Sequence, residues 1–227
     1  VKGFQRYFRN GECKLKKRLA ALLLILAFAA SSLTGCVKVV KIGEEGKLTG
    51  EVAFNADSDV ESIWQSKAVP ELTEKAVDLN AFLTESKGDL KTLADKYGKY
   101  SMGTSGELNY VVKGTAEVVK VDQTKKAGVM DVKLQGYDGP ETIQLQIGSV
   151  FKGSAVRDSL NFIKYEDYKN QVQWANVSQS IHTVIQKQVL DPLDVSSLTG
   201  KTVEFIGCFT VDGNDKLLIT PVQMTVK

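Results

Sequence analysis

The chain has 227 residues, of which 43% are hydrophobic and 25% are charged, enough for one domain with a sizeable core. Its formal charge is +2, but the first 35 residues hold seven of the 29 basic and one of the 27 acidic side chains, so residues 36–227 carry a net charge of −4. An acidic chain gives no electrostatic reason to expect nucleic acid as a partner. The three cysteines, Cys13, Cys36 and Cys208, provide no disulfide framework.

Residues 19–30 form an almost wholly apolar run behind three consecutive basic residues at 16–18. A basic segment followed by an apolar core of about 7 to 15 residues is typical of an export signal. A spanning helix needs about 20 apolar residues, so this run is too short for one. The basic side keeps that end in the cytoplasm, and the rest of the chain is therefore predicted to be exported.

Leu33, Thr34, Gly35 and Cys36 follow the apolar run, and they resemble the lipobox of bacterial lipoprotein signal peptides. The resemblance implies that Cys36 becomes the first residue of the mature protein and carries acyl chains such as palmitate. The alternative is a core cysteine beside a short buried helix. Several acyl chains together anchor a protein firmly. We therefore predict that the partner of acylated Cys36 is the lipid bilayer, on the extracytoplasmic side of a bacterial membrane, which is the periplasm in a Gram-negative cell.

Four segments are predicted along the chain. Residues 1–35 are the N-terminal extension and signal peptide, and residues 36–56 are the anchor with the first strands. Residues 57–104 read as helical, with a capping-box pattern at Ser58, a restart at Pro70 and an interruption near Gly88. Residues 105–227 are predicted to form a β-barrel domain.

Within 105–227 the apolar period changes from about 3.6 to 2, which indicates strands that bury one face. Three strands, at 110–121, 130–134 and 143–147, precede an irregular segment at 148–164 and a helix at about 165–190. Two further strands follow, around 203–211 and 222–226. The order β-β-β-α-β-β predicts an α+β fold with a five-stranded OB-fold-like barrel, after an N-terminal helical segment. An unrelated α+β sheet with the same order is the alternative.

Several blocks of sequence carry a family resemblance: residues 35–42, 60–64, 145–148, 152–158 and 219–222. The chain is similar to the uncharacterised predicted periplasmic lipoproteins catalogued as domain of unknown function 2291. The resemblance implies an anchored envelope protein with a barrel of the oligonucleotide/oligosaccharide-binding type. It also implies a family often encoded beside sugar-uptake transporters, and it supplies no activity.

Four residues are candidates for contact with a ligand or partner: Lys152, Arg157, Asp158 and Trp64. Arg157 is the only arginine after residue 35, and its fork of donors suits carboxylates, phosphates or sugar hydroxyls. The alternative for Arg157 is an ion pair that fixes the loop around it. Trp64 is either a core residue or part of a ligand-facing surface.

Catalytic and cofactor patterns are missing from the sequence. His182 lacks the partners of a zinc site or nucleophile pair and is expected at a helix surface or core edge. Cys208 is expected to be a buried, inert thiol. Residues 212–215 lack the ligand spacing of a calcium loop and read as a hairpin turn. We predict no enzyme activity, no metal and no cofactor.

The predicted function is that of a non-catalytic, membrane-anchored lipoprotein. It binds a small solute or glycan, or serves as an accessory to a sugar-uptake system and contacts sugar transporter subunits. The alternative is a structural envelope protein that binds other proteins or the cell wall. A hydrolase that uses carboxylates is the third hypothesis.

Overall fold

The computed structural model describes residues 55–213 and 216–227, which lie in one compact unit. The fold is α+β, as predicted. The helices are α1 (Ala56–Ile63), α2 (Val69–Lys75), α3 (Leu79–Ser86), α4 (Ala94–Tyr97), α5 (Ala155–Ser159) and α6 (Gln171–Ile185). The strands are β1 (Val77–Asp78), β2 (Lys99–Met102), β3 (Ser105–Asp122), β4 (Val129–Leu134), β5 (Thr142–Gln146), β6 (Thr202–Thr210) and β7 (Lys216–Val226).

The sheet has seven strands, and the pairings of five of them return to their starting point. β3 pairs with β4, β4 with β5, β5 with β7, β7 with β6, and β6 again with β3. Only β5 and β7 are parallel within this ring, and β1 and β2 pair with β3 as additions to it. Because α6 lies between β5 and β6 in the chain, the predicted order of three strands, a helix and two strands is confirmed.

The helical segment begins three residues earlier than the predicted capping box. Asn55 is the N-cap of α1, and its side-chain oxygen accepts from the backbone N–H of Asp57 at 3.1 Å and of Ser58 at 3.3 Å. Asn is as good a cap as Ser, and Asn55 precedes a competent helical residue, Ala56. Pro70 stands in the first turn of α2, so it restarts the helix as predicted.

Helix α1 does not pass directly into α2. The residues Trp64–Ala68 form a π-helical turn between them, and a second π-helical turn, Gln186–Leu190, continues α6. The predicted interruption near Gly88 is confirmed, because Lys87 leaves α3 in the left-handed region with φ of 51°. The predicted start of the long helix, at about Tyr165, was wrong. Asn170 caps α6, and its side-chain oxygen accepts from the backbone N–H of Gln173 at 2.9 Å, so α6 begins at Gln171.

Burial follows the predicted alternation on β4 but not on β5. Met130, Val132 and Leu134 are buried. Gln144 and Gln146, which the alternation placed on a solvent face, are buried as well, at 8% and 3% exposure. The side-chain amide of Gln146 donates to Thr220 Oγ1 at 2.7 Å, and its oxygen accepts from the backbone N–H of Lys152 at 2.7 Å. The loop after β5 therefore folds over this face and satisfies the amide that it covers.

One hydrophobic core contains apolar residues from the helices and from the strands, including Trp64, Phe82, Tyr110 and Phe209. The sequence predicted a boundary between a helical segment that ends at residue 104 and a β-barrel domain that begins at residue 105. This boundary lies between β2 and β3 along the chain, and the division into these two parts stays a prediction. Across the described ranges, no helix is long and apolar enough to cross a membrane.

Candidate functional site

Arg157 and Asp158 lie on α5, within the segment that the sequence predicted to be irregular. The predicted irregular segment, residues 148–164, is confirmed except at 155–159, where α5 forms, and every residue of α5 is buried. Arg157 Nε and Nη2 each lie 2.8 Å from Asp158 Oδ1, and Nη1 donates to the backbone oxygen of Trp174 at 3.1 Å. The Trp174 ring faces the guanidinium, with its centroid 3.9 Å from Cζ. Arg157 therefore joins α5 to α6 through a hydrogen bond and a cation–π contact with Trp174, while its ion pair with Asp158 lies within α5.

Two lysines satisfy the last carbonyl groups of α5. Lys75 Nζ donates to Ser159 O at 2.7 Å, and Lys99 Nζ donates to Leu160 O. Lys75 is also paired with Glu71 at 2.6 Å. Burial, with the nearby charge of Lys75, lowers the pKa of Lys99. Cations at this end of a helix interact favourably with its dipole.

His182 is 8% exposed and lies at the core edge. The sequence predicted either this position or the helix surface. Its ring stacks on Phe151 with the centroids 5.0 Å apart. Burial, with the charge of Arg157, lowers the pKa of His182 to about 4. The imidazole is therefore neutral at physiological pH and packs as an aromatic ring.

A cavity of about 590 Å³, which we call the larger cavity to distinguish it from a second one of about 440 Å³, lies between the two π-helical turns and the sheet. Trp64 and Gln65 of the first turn line it, as do Gln188 and Val189 of the second. Gln65 Nε2 donates to Gln188 Oε1 at 2.6 Å, so one hydrogen bond joins the two turns. Single π-helical turns inside helices occur frequently at functional sites, and this volume falls within the range of small-molecule pockets, about 300 to 1,000 Å³.

The lining of the larger cavity combines aromatic, amide and hydroxyl groups with few charges. The rest of its wall comes from β3, β6 and β7 and from residues beside them: Val69, Asp78, Lys113, Gly114, Thr115, Glu204, Phe205, Ile206, Val222, Gln223, Met224 and Thr225. Trp64 is 1% exposed, and its indole N–H has no hydrogen-bond partner in the described part of the chain. A buried donor of this kind costs about 1 to 3 kcal/mol.

A smaller cavity of about 440 Å³ lies beside the β2–β3 hairpin. Its wall includes Asp158 and Trp174, and its rim includes Met102 and Tyr165, which are 67% and 41% exposed. Tyr165 meets Trp174 edge to face at 5.7 Å between centroids. The cavity therefore has an aromatic wall and a mixed rim, in which Met102 and Tyr165 stand beside the exposed charged residues Lys164 and Glu166.

The four sequence candidates do not line a common cavity. Trp64 is a core residue that also lines the larger cavity, Asp158 lines the smaller one, and Arg157 and Lys152 line neither. Lys152 is exposed on the loop after β5. Contact between a ligand and any of these four residues stays a prediction.

Sequence reasoning missed Gln65, Gln188 and the cavity between the π-helical turns. In the sequence, each glutamine lies on the polar side of an ordinary helical pattern. A π-helical turn has no apolar period of its own by which the sequence could distinguish it from an α-helix. The one available signal was the pair of glutamines beside helical apolar residues, and it indicates only a solvated face.

Neither a metal site nor a reactive thiol is found among residues 55–213 and 216–227. No group of three or more potential ligands occurs there. Cys208 is fully buried and free, and burial raises its pKa to about 12, so the expectation of an inert thiol is confirmed. The lipobox, with Cys36, and residues 214–215 of the predicted turn lie outside the described residues.

Comparisons with other proteins agree with this architecture. The structure is similar to that of an OB-fold protein from Thermotoga maritima, with a TM-score of 0.60 and 15% identity, over 78% of this chain and 100% of the other. Comparison with curated proteins gave no match. The model of the predicted periplasmic lipoproteins, domain of unknown function 2291, matches residues 24–225. The chain therefore belongs to this family of predicted periplasmic lipoproteins, and its place is the cell envelope, attached by lipid on the extracytoplasmic side.

Proposed function

We propose that this chain is a non-catalytic binding lipoprotein that is anchored through acylated Cys36. In this proposal Leu33, Thr34 and Gly35 are read by the signal peptidase, and the five strands with closed pairings form a barrel of the OB type. The barrel and its helices hold a small, polar, mostly uncharged solute in the larger cavity. If the protein delivers that solute to an uptake system such as a sugar transporter, it is an accessory component of that system.

The observation that carries the proposal is the 590 Å³ cavity between two hydrogen-bonded π-helical turns. Its amide and hydroxyl groups can donate and accept hydrogen bonds with a neutral solute, and the Trp64 and Phe205 rings give apolar faces against which such a solute packs. Lys113, Asp78 and Glu204 bring charges of both signs, so the lining does not favour a strongly charged ligand of either sign. A binding function needs no catalytic constellation.

Thermal unfolding of the mature, acylated protein with a panel of sugars, polyols, amino acids and amides tests the proposal. A true ligand raises the Tm in a concentration-dependent way, and Gln188→Ala lowers its affinity about tenfold because one polar contact is lost. Gln179→Ala is the matched control, since Gln179 is an exposed glutamine of α6 outside the cavity. If no solute raises the Tm, or if both variants bind equally, the cavity is not the binding site.

A second candidate function rests on the smaller cavity. Met102 and Tyr165 are exposed large apolar side chains at its rim, beside Lys164 and Glu166, and apolar groups with a polar surround are typical of a protein interaction site. A structural envelope protein that binds another protein there is thus the alternative. Turnover of glycan, ester or phosphate substrates by the purified protein would contradict both candidates and favour a hydrolase.

A further inference from the structure

Two loops meet at one end of the sheet. The β3–β4 loop spans residues 123–128, and the β5–α5 loop spans residues 147–154. Val150 N donates to Lys126 O at 3.0 Å, and Gly148 N donates to Gly128 O at 3.1 Å. A Cβ atom on Gly148 would lie 2.1 Å from Gly128 N. The two loops therefore form one surface, which we call the basic end and define by Lys125, Lys126, Val150 and Lys152.

The charge of the basic end is opposite to that of the mature chain. All four residues are exposed, with Val150 at 48%, and no ion pair to these three lysines occurs among the described residues. Asp122 interacts electrostatically with Lys120 and Lys125, and Asp131 stands opposite Lys120 in the β3–β4 register. Lys126 and Lys152 thus lie beside an exposed valine and form no ion pair within the described part of the chain, although residues 36–227 carry a net charge of −4.

The basic end lies near the point where the described domain begins. Ser180 of α6 donates to Asp57 at 2.5 Å, two residues after Asn55. One turn of the same helix contacts the β5–α5 loop, through Ser178 with Ser154 at 3.1 Å and through His182 with Phe151. The beginning of the domain and this loop are therefore separated by about one helix diameter, roughly 10 to 12 Å.

The chain length between the anchor and the domain allows this end to reach the membrane. From Cys36 to Asn55 there are 19 residue steps, which reach at most about 65 Å at full extension. The loop that carries Val150 and Lys152 lies about one helix diameter from the start of the domain, so a chain of this length can bring it to the bilayer that holds Cys36.

We propose that the basic end rests on an anionic phospholipid bilayer, the membrane that holds the acyl chains, and fixes the orientation of the domain. The inference rests on the proposed anchoring at Cys36. Lysines are attracted to an anionic membrane surface, and an exposed valine among them can enter the headgroup region. Because the anchor already supplies attachment, these contacts select one orientation rather than provide the affinity.

The experiment uses the acylated mature protein in vesicles, with an environment-sensitive dye on Val150→Cys. Cys208 is fully buried and does not compete for the label. Vesicles contain either phosphatidylcholine alone or a mixture with phosphatidylglycerol. Met102→Cys is the matched control, because Met102 is 67% exposed and lies beside the opposite end of β3. We expect the dye at 150 to brighten at least twofold in anionic vesicles, to lose this signal in high salt, and to respond little at 102.

Charge variants make the assignment specific. Lys125→Glu with Lys126→Glu should abolish the response at 150. Lys87→Glu with Lys91→Glu should retain it, because these exposed lysines lie at the C-cap of α3 and in the 3₁₀ helix Leu90–Leu93. Equal signals in both vesicle types, equal signals at 150 and 102, or insensitivity to the charge variants would overturn the proposal. So would crosslinking of residue 150 to a protein in native membranes without any response to lipid. Vesicle flotation separates the two claims: protein that does not float lacks the anchor, whereas protein that floats without a signal lacks the lipid contact.

Discussion

Arg157 shows how a conspicuous residue type becomes part of the internal structure. The sequence left two interpretations open, an ion pair that fixes a loop and a contact with a ligand. In the structure, its charged group is occupied by Asp158, by a backbone carbonyl and by the face of Trp174. The geometry is that of the first interpretation, and the fixed segment is a buried helix rather than a loop.

Removal of the guanidinium should therefore destabilise the fold. Arg157→Ala leaves Asp158 buried at 3% exposure without its partner, and breaking a buried pair in this way costs about 3 to 5 kcal/mol. Chemical denaturation measures the free energy of unfolding. Lys227→Ala is the control, because its pair with Glu204 is exposed and is worth about 0 to 1 kcal/mol. Equal losses for the two variants would contradict the role given to Arg157.

His182 should make the stability fall on mild acidification. Burial holds its pKa at about 4, below the ordinary value of 6.5. Between about pH 4 and 6.5, His182 therefore binds a proton in the unfolded chain but not in the folded one. Stability is fully present above about pH 6.5 and decreases towards pH 4. Since the chain has one histidine, His182→Gln should flatten the dependence of the Tm on pH between 6.5 and 5. An unchanged slope in the variant would show that other groups cause it.

At the scale of elements, the two loops of the basic end approach each other as closely as backbone atoms allow. Gly148→Ala would place a Cβ atom 2.2 Å from Lys126 O, so the loops must separate. We expect a loss of about 1 to 3 kcal/mol in the free energy of unfolding, as in other overpacked sites. Ser149→Ala, at an exposed neighbour, should change it by less than about 0.5 kcal/mol. A neutral Gly148→Ala would mean that the contact is not maintained in solution.

Local patterns predicted the elements well and their surroundings poorly. The alternation at Met130, Val132 and Leu134 identified β4, because one buried face leaves a period of 2 in the sequence. The same reasoning was wrong for Gln144 and Gln146, since a polar side chain can be buried once a neighbouring loop supplies its hydrogen bonds. Helix α5 was missed because it has only five residues, too few for a period. The cavity was missed because it depends on two turns that meet only after folding.

At the scale of the whole molecule, Cys208 reports on the closure of the sheet. The residue lies on β6, pairs with Val111 on one side and Thr220 on the other, and is fully buried. Burial raises its pKa to about 12, so the native thiol is neither exposed nor ionised at neutral pH. We expect the acylated mature protein to resist a maleimide reagent until the denaturant concentration at which the fold is lost.

The measurement compares the labelled fraction with circular dichroism across a denaturant series. Coincident transitions would indicate that β6 leaves the sheet only in global unfolding. Labelling that precedes the loss of ellipticity would show instead that β6 opens by itself. The same reagent on Val150→Cys should react at once, because that position is exposed.

The pairing between β3 and β6 also has a consequence for biogenesis. Asn109 and Thr210 face each other in this pairing, and their side chains are joined by a hydrogen bond across 101 positions of the chain. Such non-local contacts give a high contact order and slow folding, on a scale of roughly milliseconds to seconds. A polypeptide exported from its N-terminus exposes β3 before β6 and β7 have emerged. During that interval the edge of β3 that pairs with β6 in the folded protein is unpaired. The ring of strands therefore closes before the chain aggregates only if that edge is protected, either by a periplasmic chaperone or by rapid translocation.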